Sequence, residues 1–371
     1  MAGHRTRRSG SFPLATLRLL SGLLLAQLLL PAPLAAADVP PSRPRNVVLV
    51  IGDGMGLSHL TAGLVSAGGH LAIEGFPVVG LSKTSSADNL VTDSAAAATA
   101  MACGVKTRNG AIGVDPDGCP VPSLLELARA RFMKTGVVVT SSITDATPAA
   151  FLSHQPSRKL QEAIAIDIVV SGADLLVGGG RCFFTSRPDR RYLLGELSAR
   201  GYAVVEDAAK LEAAPAGKLA ALLAEEDLPR MTTGRGGLLP AGVAVALRRL
   251  PGDEGFFLLV EGSQIDSAAH DKDARGATAE VVDLDRTVAR LLEFAAEDGE
   301  TLVVLTADHE TGGLALTGGS ASERNVEAGF VAKSHTATMV PVFAFGPGAG
   351  AFAGVYENTA IFAKLRAALG L

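Results

Sequence analysis

No tryptophan occurs in the 371 residues, and aromatic side chains make up only 5% of them. The 48% hydrophobic content must therefore form a core that is mostly aliphatic. Cysteine is almost as scarce. Cys103, Cys119 and Cys182 are the full complement, with no CxxC pair, which excludes a disulfide-dense scaffold and argues against a thiolate zinc site. Cys103 lies in an alanine-rich stretch and is expected to be buried and free. Of the pairings that remain, Cys119 with Cys182 is preferred. Basic excess is also lacking. Thirty-three Lys and Arg face 38 Asp and Glu, a net charge of −5, which argues against a nucleic-acid partner. There is no internal repeat, heptad array or long linker.

The N-terminus reads as a separate object. Arg5, Arg7 and Arg8 precede an apolar run from Leu19 to Leu30, and PAPLAAAD follows with small residues at Ala35 and Ala37. This is the pattern of a secretory signal peptide over residues 1–37. The run is short for a membrane span and no later stretch resembles one. Arg7-Arg8 hints at twin-arginine export, but the residues after it do not complete that motif, and ordinary secretion is expected. Cleavage after Ala37 would remove four arginines and no acids, taking the net charge to −9. The expected product is one domain over residues 38–371, exported to a periplasmic or extracellular space.

Short apolar runs recur through that domain. NVVLVIGD, GVVVTSS, ADLLVGGG, GFFLLVEG, TLVVLTADH and VPVFAFG read as strands buried on both faces, as in a parallel sheet. Helical spacing lies between them, at residues 123–134 and 278–296. Strands alternating with helices predict an α/β fold, a three-layer α/β/α sandwich around a mostly parallel sheet. The region 181–251, rich in Ala, Leu and charge, reads as helices and connections.

The stretch VTDSAAAATA poses the functional question. Asp93 or Ser94 before four alanines is ordinarily an N-cap. The alternative is a serine nucleophile at a helix N-terminus, where backbone N–H groups favour an anion. Polar residues after the strands bear on the choice. Asp53 ends the first strand, Asp145 and Thr147 follow the second, Glu261 ends the fourth, and Asp308-His309 end the fifth. In open α/β sheets ligands bind beyond the carboxyl ends of strands, so these acids should share one edge, where they repel unless cations neutralise them. Asp266 and His270 stand at i and i+4, on one helix face. Asp308 and His309 can both face a metal only where the strand has given way to a turn, which Thr311-Gly312-Gly313 supplies. With His335 these residues offer enough oxygen and nitrogen ligands for two zinc ions and one harder cation. Such a site suits phosphoryl displacement, with Ser94 as nucleophile and Arg158 as a fork for phosphate oxygens. His59, His70 and His154 lack comparable acidic neighbours and read as structural.

The motifs VIGDGMG, VTDSAAAATA, GVKTRNGAIGV, TDATPAAF, SRK, VEGSQID followed by His270, TADHETGG and SHT stand in the order found in alkaline phosphatases, which the chain resembles from about Asn46 to its C-terminus. The resemblance implies hydrolysis of small-molecule phosphate monoesters through a phosphoserine on Ser94. It implies one zinc on Asp53, Asp308 and His309, and another on Asp266, His270 and His335. Magnesium would lie on Asp53, Thr147 and Glu261, with Arg158 binding phosphate and Asp93 orienting it. A homodimer is the family expectation. The chain departs from the family at Ser267, where relatives carry Lys or His working with the residue that matches Asp145. That leaves the identity of the third metal open. Only 318–333 separates the sheet region from His335, so the crown insertion of larger relatives should be small or absent. Other readings are a phosphodiesterase or sulfatase of the same superfamily, or a secreted binding protein without turnover. Ser94 in place of a sulfatase cysteine, and the presence of Arg158, favour the monoesterase.

Overall fold

The computed structural model describes residues 43–371. The signal-peptide reading of residues 1–37 lies outside them. In chain order the strands are β1 (Asn46–Gly52), β2 (Val78–Lys83), β3 (Lys134–Ser142), β4 (Leu175–Gly179), β5 (Tyr202–Val205), β6 (Lys218–Leu222), β7 (Phe256–Gly262), β8 (Thr301–Thr306), β9 (Glu310–Thr311), β10 (Leu314–Ser320), β11 (Asn325–Phe330), β12 (His335–Thr336), β13 (Val340–Phe345) and β14 (Gly354–Glu357). The helices are α1 (Leu57–Ser66), α2 (Ser94–Cys103), α3 (Leu124–Ala130), α4 (Ala146–Leu152), α5 (Gln161–Ser171), α6 (Cys182–Thr185), α7 (Leu193–Ala199), α8 (Leu238–Arg249), α9 (Gln264–His270), α10 (Ala274–Asp298) and α11 (Thr359–Leu369).

Ten strands form one sheet in the order β14-β2-β13-β8-β1-β7-β3-β4-β6-β5. All its pairings are parallel except those of β13, which runs antiparallel to β8 and β2. The continuous apolar runs became the central strands. Every residue of β1, β7 and β8 is buried, because helices cover both faces and leave no side for water. Alternation persists as a choice between two interiors. Val47, Leu49 and Ile51 pack with α2 and α4, whereas Val48 and Val50 pack with α8 and α10. This is the expected three-layer sandwich.

The region 181–251 departs from its reading. It contains β5 and β6, which extend the sheet beyond β4 in parallel register, Leu175 opposite Leu219. Both are short, and KLAAL carries Lys, Leu and Ala, which favour helices; sheet pairing overrides that preference. The Cys119–Cys182 pairing is not made. Cys119 is exposed on the connection between α2 and α3, Cys182 opens α6 just after β4, and all three thiols are free. Cys103 is buried on α2 as expected. The expected small crown is a two-stranded hairpin, β10 with β11.

All ten residues of α2 are buried. It packs against α4 and α11, and side chains larger than alanine on most of its surface would hold those neighbours off. Leu at position 98, where Ala98 is fully buried, should destabilise the fold by about 1–3 kcal/mol through overpacking. Urea unfolding checks this. The midpoint should fall with an unchanged slope, and an unchanged midpoint would show spare room around the helix.

Candidate active site

The adjacency of β8, β1, β7 and β3 brings four carboxyl ends side by side. Asp53 follows β1, Glu261 is the penultimate residue of β7, Asp308 and His309 follow β8, and Asp145 and Thr147 stand at the start of α4 just after β3. α9 then presents Asp266 and His270 from one face, with His270 Nε2 3.3 Å from Asp266 Oδ2. His335 comes from the two-residue bridge in which it faces Thr311. The turn of β1 into α1 passes close to α9. A Cβ on Gly54, whose φ is +74°, would sit 3.0 Å from the Cα of Asp266, so this approach requires glycine. Gly54 N donates to Asp308 Oδ1 at 3.0 Å and ties the two turns together.

The start of the alanine helix is shared by two residues. Asp93 is the N-cap and accepts from Ala96 N at 3.0 Å. Ser94 is the first helical residue, 3% exposed, with Oγ 3.2 Å from His309 Nε2. His309 Nε2 also lies 3.1 Å from Asp308 Oδ2 and 3.6 Å from Asp53 Oδ1. Arg158, on the loop after α4, donates to Asp145 Oδ1 at 3.0 Å and lies 3.6 Å from Asp93 Oδ2. Burial works against its charge, but Asp145 and Asp93 outweigh that and hold the guanidinium protonated.

The donor set fits cations. Ligand atoms of Asp53, Asp308 and His309 lie within 4.8 Å of one another, as do those of Asp266, His309 and His335. His270 joins the second group, its Nε2 3.1 Å from His335 Nε2. The other ring nitrogens of these two histidines face backbone carbonyls, His270 Nδ1 that of Lys333 and His335 Nδ1 that of Thr92. With Nδ1–H donating to those carbonyls, the Nε2 atoms are the ring atoms placed to ligate a metal. Buried Asp53 Oδ1, Asp308 Oδ2, Glu261 Oε1 and Thr147 Oγ1 have no hydrogen-bond partner. Buried oxygens are rarely left so, and these four all belong to residues expected to hold metals.

Electrostatics divide the acids. Burial first, then the charges of Asp308, Asp266 and Glu261, push Asp53 well above the carboxylate range. Burial and Asp145 push Glu261 up to about 8. Asp308 is as deeply buried and Asp266 partly so, yet imidazoles hold both low: a hydrogen bond with His335 for Asp266, and the His309 charge for Asp308. Asp266 raises the pKa of His335 in return, against burial.

Ser267 contributes only its carbonyl, which accepts from Arg230 Nη2 at 3.1 Å. Asp145 pairs with Arg158 instead. His59 is buried and accepts from Gly56 N, and His70 pairs with Glu74. Several residues make contacts at the site that were not read from the sequence. Arg230 also reaches Asp271 at 2.7 Å, on a segment anchored by buried Arg235 paired with Glu280 and Asp283. Thr311 donates to Asp266, and Glu310 accepts from Gly313 N and Leu314 N. Thr311 and Glu310 sit inside TADHETGG, so their motif was visible; Arg230 had no local signal.

Comparison with known proteins adds to this geometry. The family model described as alkaline phosphatase matches residues 44–328. Alkaline phosphatase 3 of Bacillus subtilis (strain 168) is 40% identical over 73% of this chain and 62% of its own length, so the chain spans less than two thirds of that relative. Streptomycin-6-phosphate phosphatase of Streptomyces griseus is 35% identical over 98% of this chain and 99% of its own. The structure of alkaline phosphatase from the Antarctic bacterium TAB5 superposes with a TM-score of 0.83 at 41% identity, covering 88% of this chain and 98% of that one. A variant of that enzyme, with one histidine replaced by aspartate, has Mg bound in a site termed M3.

The raised carboxyl groups make a prediction for the chelated protein. Between the ordinary 4.5 and about 8, folded Glu261 holds a proton that the unfolded chain releases. In EDTA, unfolding free energy should therefore fall as pH rises through that window. Loss of the His335 proton acts in the same direction above its ordinary 6.5. Zinc plus magnesium, which require deprotonated ligands, should reverse the trend. Urea midpoints at pH 5, 7 and 8.5 test this, and a midpoint that climbs in EDTA across the window would refute it.

Proposed function

Because the chain belongs to the alkaline phosphatase family, we propose that it hydrolyses phosphate monoesters to an alcohol and inorganic phosphate, with Ser94 as the nucleophile. The observation that carries this reading is the placement of Ser94 Oγ at the N-terminus of α2, 3.2 Å from His309 Nε2 at the edge of the carboxylate cluster. Asp53, Asp308 and His309 would hold one zinc ion, Asp266, His270 and His335 a second, and Asp53, Thr147 and Glu261 a magnesium ion. When bound, these cations would supply Lewis-acid charge favouring an ionised serine and a departing alkoxide.

The chain's own residues carry the rest. Ser94 Oγ forms a bond to phosphorus in line as the ester P–O bond breaks, and the alcohol leaves with a proton. Water then attacks the phosphoserine, and phosphate departs with Ser94 restored. Arg158 grips two non-bridging oxygens throughout, its fork aimed by Asp145 and Asp93. The N–H groups of Ser94 and Ala95, which Asp93 does not take, lie at the same end of α2. A dianionic monoester suits this grip better than a diester. Export through cleavage of residues 1–37, one catalytic domain over 38–371 and a homodimer complete the reading. No helix among the described residues is long and apolar enough to cross a membrane.

The mouth favours a class of alcohol. Asp145, Glu226 and Asp227 line a cleft of about 290 Å³ beside Arg158, together with Gln161 and Phe183. Asp145 is already paired with Arg158, but Glu226 and Asp227 leave an acidic wall that suits a cationic leaving group, in agreement with the name of the Streptomyces relative.

Ser94→Ala should lower kcat for p-nitrophenyl phosphate by at least about 10³-fold. Comparable turnover by that variant would replace the phosphoserine path with direct hydrolysis, and tight phosphate binding without wild-type turnover would mark a binding protein. Arg158→Ala should cost roughly 10²-fold in kcat/KM for monoesters and less for bis(p-nitrophenyl) phosphate. For substrate class, the paired Glu226→Gln and Asp227→Asn changes should weaken kcat/KM for streptomycin 6-phosphate while sparing p-nitrophenyl phosphate. Equal loss on both substrates would remove the cationic-alcohol reading.

A further inference from the structure

The segment that carries Arg158, residues 153–158, has no helix or ladder strand of its own. Its placement comes from a zipper to residues 110–113. Ile112 and Gln155 exchange two backbone hydrogen bonds of 2.9 Å each, and Arg158 N donates to Gly110 O at 2.7 Å. Gly110 N in turn donates to Asp93 Oδ2 at 2.9 Å, on the residue that caps the Ser94 helix. At the far end of this zipper stands His154. Its Nδ1 is 2.6 Å from Gly113 O, and its Nε2 is 3.1 Å from both carboxylate oxygens of Glu126. A Cβ on Gly113, at φ +60°, would strike Ser153 O and His154 Nδ1, so the two segments could not approach this closely with any other residue. Glu126 is itself fixed in the capping box of α3 with Ser123, whose Oγ donates to Phe151 O at the end of α4.

Resting on the reading of Arg158 as the phosphate clamp, we infer that His154 is a positioning residue whose protonated form holds that clamp closed. Both partners of the ring, a carbonyl and a carboxylate, only accept hydrogen bonds. An imidazolium satisfies both with its two N–H groups. A neutral ring has one, and must turn a lone pair toward the other acceptor. Loss of the proton therefore loosens one end of the zipper that seats Arg158. The ring can exchange protons with water, because it borders a cleft of about 480 Å³ lined by Glu126, Arg129, Ser153 and Asp167 among others. The charged groups facing it are Glu126 and Arg129 from α3 and Asp167 from α5. Asp167 also accepts from Ser153 Oγ and Gln155 Nε2 on the same segment. The Glu126 hydrogen bond raises the pKa of His154 above its ordinary 6.5 against burial, so the clamp is tight below that raised value and relaxes as pH climbs through it. The product, phosphate, would then be held less firmly under alkaline conditions.

Reciprocity gives a test that a purely structural histidine would not pass. If protonated His154 favours phosphate, phosphate must raise the pKa of His154 by the same factor. The zinc- and magnesium-loaded enzyme, with labelled histidine, would be titrated by NMR from pH 6 to 10 with and without saturating inorganic phosphate. The His154 signal would be assigned from through-space contacts with Glu126. The expected result is a rise of about half a pH unit or more, equivalent to about a threefold preference. An unmoved value overturns the proposal. His154→Gln, which cannot titrate, should raise the phosphate inhibition constant about threefold or more at low pH and converge with wild type at pH 10. Equal constants throughout also overturn it. If wild type binds phosphate no better than Arg158→Ala, the underlying clamp reading fails instead; if Arg158 matters and His154 does not respond, this inference alone falls.

Discussion

Mutual repulsion among buried carboxylates governs this molecule. Asp53, Glu261 and Asp308 are each at most 4% exposed, and they converge with half-buried Asp266 at one edge of the sheet. Imidazoles neutralise two of the four, and Arg158 is committed to Asp145 and Asp93. The remaining charge is resolved by protons or by cations. Protons can do it only by occupying the oxygens that a catalyst needs as ligands. The fold is therefore a frame that forces together groups that would otherwise separate, and its rigidity is a condition of the chemistry.

A parallel sheet makes such a frame because all its central strands point the same way. Residues from positions 53, 145, 261 and 308 become neighbours at the carboxyl ends of β1, β3, β7 and β8, although 92, 116 and 47 positions separate each from the next. The alanine helix completes one wall. Its small side chains let α2 lie against the sheet and against α4, so that Ser94 meets His309. The short bridge of β9 with β12 then returns His335 to the same edge.

Much of this was legible because its signals are local. Continuous apolar runs mark the central strands, an acid directly after a run marks a strand end, and the spacing of Asp266 and His270 puts both on one face of α9. The quoted motifs marked Asp53, Thr147, Glu261, Asp308, His309 and His335, which the structure gathers at that edge. What could not be read depends on distance. KLAAL becomes β6 only because β4 lies open beside it. Cys119 and Cys182 look pairable by count, yet pairing requires Cα atoms within about 7 Å, and no spacing encodes that. Arg230 reaches Ser267 across 37 positions, held by a buried ion cluster on another helix. The substitution of Ser267 drew attention to a lost contact with Asp145; in the structure Asp145 turns to Arg158.

The hairpin of β10 and β11 has a geometry of its own. It leaves the site at Thr311 and re-enters at His335, and the bridge between those two residues closes it like a clasp. Whatever length of chain runs between them, the clasp sees the same two ends. Doubling such a loop adds only about 0.6 kcal/mol of closure entropy. The hairpin is thus separable from the ends that anchor it. Its length and surface can change, and with them what meets the protein there, while Thr311 and His335 keep their coordinates. Chemistry and selectivity can then evolve on different clocks.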